Sequence, residues 1–295
     1  AGDAITTGLN NTLLGYNSGG ALVGGSYNVA LGYFALASED AHGRNVAIGW
    51  RSLQNQNAGA DAYNVAIGYD SGLSISTGTL NTIVGGLAGD ALTTGAQNTA
   101  IGHEALSTED TGARNTAIGE GSLKTLNFDG NGYNVAVGYN SGHLISTGVN
   151  NTIIGSLAGD ALTTGSNNVA IGKGALSTED ANGYNVAIGH QTLKVQNAGS
   201  DAYNVAVGYD AGVSVTTGVN NTLVGSFSGD ALTTGVSNVA LGYAALSSAQ
   251  TSNYNTAIGE RALHLNVNSN RNTAVGFQAL YSHTTGSATD SYNTA

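Results

Sequence analysis

Acidic side chains are the first residues that could do chemistry, because they recur at fixed offsets. Glu39-Asp40, Glu109-Asp110 and Glu179-Asp180 lie seventy residues apart, as do Asp90, Asp160 and Asp230. Asp61 and Asp201 share one place in that pattern, Asp70 and Asp210 another. Hard oxygen ligands carried on turns suit Ca²⁺, which makes Asp61, Asp70, Asp201 and Asp210 the calcium candidates. The other reading of the same residues is a set of solvated turn carboxylates. The Gly-Gly-x-Gly-x-Asp nonapeptide of calcium-binding rolls does not iterate. No other cofactor is indicated. Tyrosines repeat too: Tyr63, Tyr133 and Tyr203 form one series, and Tyr69, Tyr139 and Tyr209 another. Rings beside Asn and Asp suit stacking on a sugar or on another protein; alternatively they cover a longer loop. The six His residues share no recurrent place, and no HExxH, nucleophile elbow, Walker loop or dinucleotide fingerprint is present. An enzyme is not expected.

Composition narrows the field further. Eight Lys and Arg against 19 Asp and Glu give a net charge of −11, which disfavours nucleic acid and anionic membranes as partners. No apolar run approaches the ~20 residues of a membrane span. Without Cys there is no disulfide framework or thiolate metal site. The 45 glycines would fit a flexible linker, but the 41% hydrophobic content does not.

The elements that hold these residues follow from a repeat, Asn-[Thr/Val]-x-[Ile/Val/Leu]-Gly. Its asparagines are Asn11, Asn28, Asn45, Asn64, Asn81, Asn98, Asn115, Asn134, Asn151, Asn168, Asn185, Asn204, Asn221, Asn238, Asn255 and Asn272, and a further copy begins at Asn293. Spacings are 17 residues, with 19 after Asn45, Asn115 and Asn185 and 21 after Asn272. Four copies make a 70-residue cassette, giving divisions near 28–97, 98–167, 168–237 and 238–295. The motif asparagine is numbered position 1 below. Positions 2 to 4 hold good strand formers, and Gly at position 5 permits a turn. A second apolar group falls at position 9, as in Leu36, Leu53 and Leu106, or at position 12, as in Ile75 and Leu92. Two short strands and two turns fit in 17 residues; two helices do not. One coil cannot bury its own apolar face, but stacked coils can. The expected architecture is all-β, a parallel β-solenoid built as a thin two-sheeted β-roll. It runs as one continuous repeat domain over 1–295, with about 16 coils and a length of roughly 75–80 Å at ~4.8 Å per coil. From Asn28 to Asn272 the asparagines stack into a ladder, amide on amide.

Asn98-Thr-Ala-Ile-Gly-His-Glu-Ala-Leu106 and Asn255-Thr-Ala-Ile-Gly-Glu-Arg-Ala-Leu263 resemble the head repeats of trimeric autotransporter adhesins. They are closer still to the repeats of tail-fibre-like proteins of phages and bacteria, as is the stretch 272–286. The resemblance covers essentially the whole chain. It implies a left-handed roll, three chains side by side, and a surface fibre that binds other surfaces. These coils, at 17 or 19 residues, are longer than those of the adhesin head.

Two further expectations concern assembly. If positions 2 and 4 face inward, position 3 faces out, and its alanines form a flat strip that another backbone can approach. Ala47, Ala66, Ala117, Ala136 and Ala187 lie on that strip, interrupted in every fourth coil by Ile83, Ile153 or Leu223. A wide core taking both faces is the alternative. Neither terminus carries a distinct polar cap, which points to a longer fibre or to head-to-tail stacking. The functional expectation is an extracellular, cell-surface or virion fibre that self-associates as a homotrimer or filament and presents repeated sites to surface glycans or surface proteins. A head-to-tail filament or sheath subunit without an adhesive role is the first alternative. A glycan-active spike with paired carboxylates is the second.

Overall fold

The computed structural model describes the backbone of residues 1–295 and the side chains of all but 284–289. The chain divides into two compact units, residues 1–150 and 151–295. Each is a parallel β-solenoid of eight coils, and no helix occurs among the described residues. The first unit carries β1 (Thr12–Leu14), β2 (Val29–Leu31), β3 (Val46–Ile48), β4 (Val65–Ile67), β5 (Thr82–Val84), β6 (Thr99–Ile101), β7 (Thr116–Ile118) and β8 (Val135–Val137), side by side in chain order. The second carries β9 (Thr152–Ile154), β10 (Val169–Ile171), β11 (Val186–Ile188), β12 (Val205–Val207), β13 (Thr222–Val224), β14 (Val239–Leu241) and β15 (Thr256–Ile258). After β16 (Val267–Asn270), the eighth main-sheet strand is β17 (Thr273–Val275), and β18 (Thr284–Asp290) pairs with β16 in a separate two-stranded sheet. Along the main-sheet strands of each unit like positions pair in register, as in Val46↔Val65, Ala47↔Ala66 and Ile48↔Ile67, whereas the register of β16 with β18 shifts between Val267 and Ser269.

Each coil has one three-residue strand where two were expected, except the coils of Asn255 and Asn272, to which β16 and β18 add a second. The other side of the coil is a chain of turns that still bonds from coil to coil: Gly19 donates its N–H to the Ala35 carbonyl at 2.9 Å, and Leu36 to that of Ser52 at 3.0 Å. Residues at positions 7, 9 and 17 take the left-handed conformation there, as in Phe34 (φ 55), Leu36 (φ 51) and Arg44 (φ 64). Single left-handed residues outside glycine cost of order 1 kcal/mol or more, and the repeated inter-coil hydrogen bonds hold them in place. At position 5 only glycine fits. A Cβ on Gly32 (φ 141) would lie 2.2 Å from the Gly49 carbonyl oxygen of the next coil.

The direction of the strand side chains reverses the sequence expectation. Position 3 points inward: Ala47, Ala66, Ile83, Ala117, Ala136, Ile153, Ala187 and Leu223 are completely buried. They are core residues, not a lateral interface. Positions 2 and 4 point outward and are half-buried or exposed. The coil's narrow bore explains the reversal. Facing the strand across it is position 8, which holds buried Ser18, Ala35, Ser52 or Ala88, so the inward strand residue must be small. Ile83, Ile153 and Leu223 are admitted because position 9 of the same coil is then glycine. A Cβ on Gly89 would meet the Ile83 Cδ1 at 3.1 Å, and one on Gly229 the Leu223 Cδ2 at 2.8 Å.

The same complementarity links positions 9 and 12. Where position 9 is Gly72, Gly89 or Gly159, position 12 is the fully buried Ile75, Leu92 or Leu162. Where position 9 is Leu36, Leu53, Leu106 or Leu193, position 12 is a buried polar group, respectively Glu39, Gln56, Glu109 or Gln196. One large aliphatic side chain per coil fills the turn-side core, from either place. The coil of Leu123 and Leu126 carries both.

The asparagine ladder is present. Some of it is amide on amide, as Asn238 Nδ2 donates to Asn221 Oδ1 at 3.1 Å and Asn272 Nδ2 to Asn255 Oδ1 at 3.2 Å, and the rest is amide to backbone. Asn28 Oδ1 accepts the backbone N–H of Asn45 at 3.0 Å, and Asn64 Oδ1 that of Asn81 at 2.8 Å. In the second unit Asn151 serves Asn168 at 2.9 Å, and Asn221 serves Asn238 at 3.0 Å. Most Nδ2 groups donate to the position-15 carbonyl of their own coil, as Asn81 does to Gly95 at 2.9 Å and Asn204 to Gly218 at 2.8 Å. The left-handed residue at position 17 turns the backbone, so the following N–H misses the strand ladder. The side-chain oxygen of the preceding coil supplies the acceptor that a buried N–H requires.

Candidate interaction surface

Three outward features run along the coils of each unit. The strand face is apolar, with Val or Thr at position 2 and Ile, Val or Leu at position 4. Ile67 is 37% exposed and Leu241 44%. On one side of it lies the edge made by positions 6, 7 and 10; on the other lies position 17. These edges carry the chemically varied residues, because their side chains point to solvent and no packing rule restricts them.

The position-17 edge brings rings and guanidiniums together. The Arg44 guanidinium lies between the rings of Tyr27 and Tyr63, 5.7 and 5.3 Å from their centroids. Arg271 lies likewise between Tyr254 and Tyr292 at 4.9 and 5.7 Å. Arg44 also donates to the Tyr63 hydroxyl. Tyr203 stacks on Tyr184 at 5.1 Å, and Tyr133 accepts from Arg114 at 2.6 Å. Tyr63, Tyr133 and Tyr203 are about half exposed. Tyr69, Tyr139 and Tyr209 are equally exposed, but they sit at position 6, across the strand face. The structure therefore places the two tyrosine series on opposite edges.

Position 6 also holds residues that sequence reasoning missed. Tyr33 stacks between Tyr16 and Trp50, at 5.4 and 4.1 Å. Beside this stack is a shallow cavity of about 330 Å³ lined by Tyr33, Phe34, Trp50, Arg51 and Gln54. Arg51 makes a two-bond pair with Asp70, through Nε at 2.8 Å and through Nη2. These positions vary from coil to coil, so no period marks them. Their signal was positional: three aromatic residues, Tyr16, Tyr33 and Trp50, share position 6 in consecutive coils.

The four calcium candidates do not converge. Asp61 accepts the Gly43 N–H at 3.1 Å and pairs with Arg44 at 3.3 Å. Asp201 accepts the Gly183 N–H at 3.0 Å. Asp70 is held by Arg51, and Asp210 faces His190 Nδ1 at 3.3 Å. Each is engaged separately with a residue of the preceding coil. Among the described residues, the one group close enough to share an ion is Glu39, Asp40 and His42. Its equivalents act as backbone clamps. Glu109, fully buried, accepts the N–H groups of Gly112 at 2.7 Å and Asp110 at 3.1 Å, and reaches the longer loop of the next coil at Phe128 N, 3.2 Å away. Burial pushes the carboxyls of Glu39, Glu109 and Glu179 above the usual range, with backbone donors opposing the shift at Glu39 and Glu109 and the Asn182 side chain first among those opposing it at Glu179.

In comparisons with protein-family models and with curated proteins, nothing matches the chain. Its fold class is a parallel β-solenoid of 17-residue coils, and the resemblance of its repeats carries no further identification.

Proposed function

We propose that the protein is a structural fibre or filament component, working outside a cell or on a virion, that self-associates and presents repeated sites for adhesion. Its role is contact and assembly, without a catalytic step. One observation carries this reading: the strands turn their larger side chains outward. Within each unit this leaves columns of Thr or Val and of Ile, Val or Leu facing water. Contiguous exposed apolar surface of this kind marks an interaction site, and a second copy of the chain offers the same column at the same ~4.8 Å spacing. The flanking edges of rings and charges stay accessible in such an assembly and supply multivalent contacts at fixed spacing.

The test is the sedimentation of the purified chain beside a variant carrying Ile67→Lys and Ile118→Lys. Wild type is expected to sediment as a closed oligomer or as fibres, and the variant as a monomer with an unchanged circular dichroism spectrum. A monomeric wild type at micromolar concentration refutes the proposal.

A further inference from the structure

The cassette repeat allows two places seventy residues apart to be compared as if one were a variant of the other. In the first unit, Lys124 at position 10 donates to Glu104 at position 7 of the preceding coil, 2.7 Å away. Lys124 in turn holds the Glu104 carboxyl below its usual range. The residue next to Glu104 is His103. In the second unit the corresponding residues are Lys194, Gly174 and Lys173. The lysine is kept, its carboxylate partner is deleted, and a second lysine stands where the histidine was. Among the described residues, Lys173 and Lys194 are the two cations of the chain for which no side-chain partner is found.

Both line a cavity of about 290 Å³ that also takes in Leu157, Asp160, Ser177 and Gln191. The two lysines are set against one carboxylate of the cavity, Asp160, which leaves it an excess of positive charge within a chain of net charge −11. An incoming carboxylate between them takes the role that Glu104 plays in the other unit, and charge-assisted hydrogen bonds of this kind are among the stronger polar contacts. Gln191 adds an amide acceptor beside the lysines, so the cavity also matches hydroxyl donors. Leu157 gives it an apolar wall. A ligand bearing one carboxylate next to several hydroxyls satisfies all of these groups.

We propose that the cavity around Lys173 and Lys194 is a binding site for an acidic monosaccharide unit, a uronate or sialate, through its carboxylate. This deepens the adhesive reading above and rests on it, since it names what one edge of the second unit contacts.

Gly174→Glu provides the decisive variant, because it restores the internal carboxylate. Position 7 tolerates it: Glu104 is itself left-handed at φ 54. A Cβ on Gly174 (φ +64) finds its nearest atom, Gln191 Cγ, at 3.8 Å, which is ordinary contact. Titration calorimetry uses glucuronate and N-acetylneuraminate as probes, with glucose and N-acetylglucosamine as their neutral counterparts. Acetate, inorganic phosphate and a glutamate-rich peptide complete the set. The acidic sugars are expected to bind at least about tenfold more tightly than the neutral ones, and more weakly as salt is raised. Gly174→Glu and Lys194→Gln each lose about tenfold or more, whereas Lys124→Gln in the first unit changes nothing. Equal binding of neutral and acidic sugars, or undiminished binding by Gly174→Glu, overturns the proposal. So does acetate, phosphate or the peptide binding as tightly as the sugars. The assembly variant Ile67→Lys, Ile118→Lys alters only the first unit and leaves sugar binding intact, so the two readings fail separately.

Discussion

Replacing Asn98 by alanine tests the physical basis of the ladder, and Asn45 supplies the control. Asn98 is buried, and its side chain works at both ends. Oδ1 accepts the Asn115 N–H at 2.9 Å, and Nδ2 donates to the Gly112 carbonyl at 2.8 Å. Alanine removes both bonds and strands two buried backbone groups. A net hydrogen bond contributes ~1 kcal/mol, and an orphaned buried group costs ~1–3 kcal/mol, so the expected loss is about 3–5 kcal/mol. Asn45 heads a 19-residue coil, in which the inserted residues carry the position-15 carbonyl out into the loop. Its Oδ1 still accepts the Asn64 N–H, at 3.1 Å, but its Nδ2 has no partner. Asn45→Ala therefore strands one backbone group, not two, and relieves an unsatisfied donor. It is expected to cost about 2 kcal/mol less than Asn98→Ala. Hydrogen–deuterium exchange read by peptide is the suitable assay, because stacked coils open locally and a single global midpoint is not well defined. Faster exchange confined to peptides spanning 98–116 is expected in the first variant, with a smaller change around 45–65 in the second. Equal costs at the two positions, or a larger one at Asn45, would refute the account of the ladder as amide-to-backbone satisfaction.

Two other predictions follow from the core. Gly72→Leu places a Cβ 2.9 Å from Ile75 Cδ1 and 3.1 Å from Leu53 Cδ2, and overpacking of this kind costs about 1–3 kcal/mol or more. The double variant Gly72→Leu, Ile75→Gln copies the Leu53–Gln56 coil. It is expected to recover most of the loss in urea denaturation, and no recovery would count against one side chain filling the turn-side core. The buried glutamates make stability depend on pH. Their folded pKa values lie above the unfolded one, so between the two the folded state holds more protons, and stability falls as pH rises through that window. At Glu39 burial is the chief cause, aided by Asp40 and opposed by the backbone N–H and the imidazole of His42. Glu39→Gln removes this site's charge while its Oε2 has no hydrogen-bond partner to lose. The expected result is a flatter pH–stability curve above about pH 4.3, measured by thermal melts; an unchanged slope refutes the assignment.

The period, the coil count and the asparagine column were legible because they obey rules that every coil repeats. The inward direction of the strand was not, for a reason that lies in volume. Alternation along Asn-Thr-Ala-Ile-Gly says that positions 2 and 4 share a face but not which face is inside, and the habit of burying the larger side chain selects the wrong one. What decides is the room left by position 9, six residues downstream: Leu53 or Leu106 there goes with Ala47 or Ala100, and Gly89 with Ile83. That correlation was present in the sequence, since Ile83, Ile153 and Leu223 each precede a glycine by six residues. The candidate surface was hidden differently. Repetition marks what packing constrains, whereas Trp50, Arg51, Lys173 and Lys194 occupy the places packing leaves free. In a solenoid, then, the residues that break the repeat at one fixed position are the ones to examine for binding. The loss of Glu104's carboxylate at Gly174 is such a break, visible only when two coils with the same backbone are laid side by side.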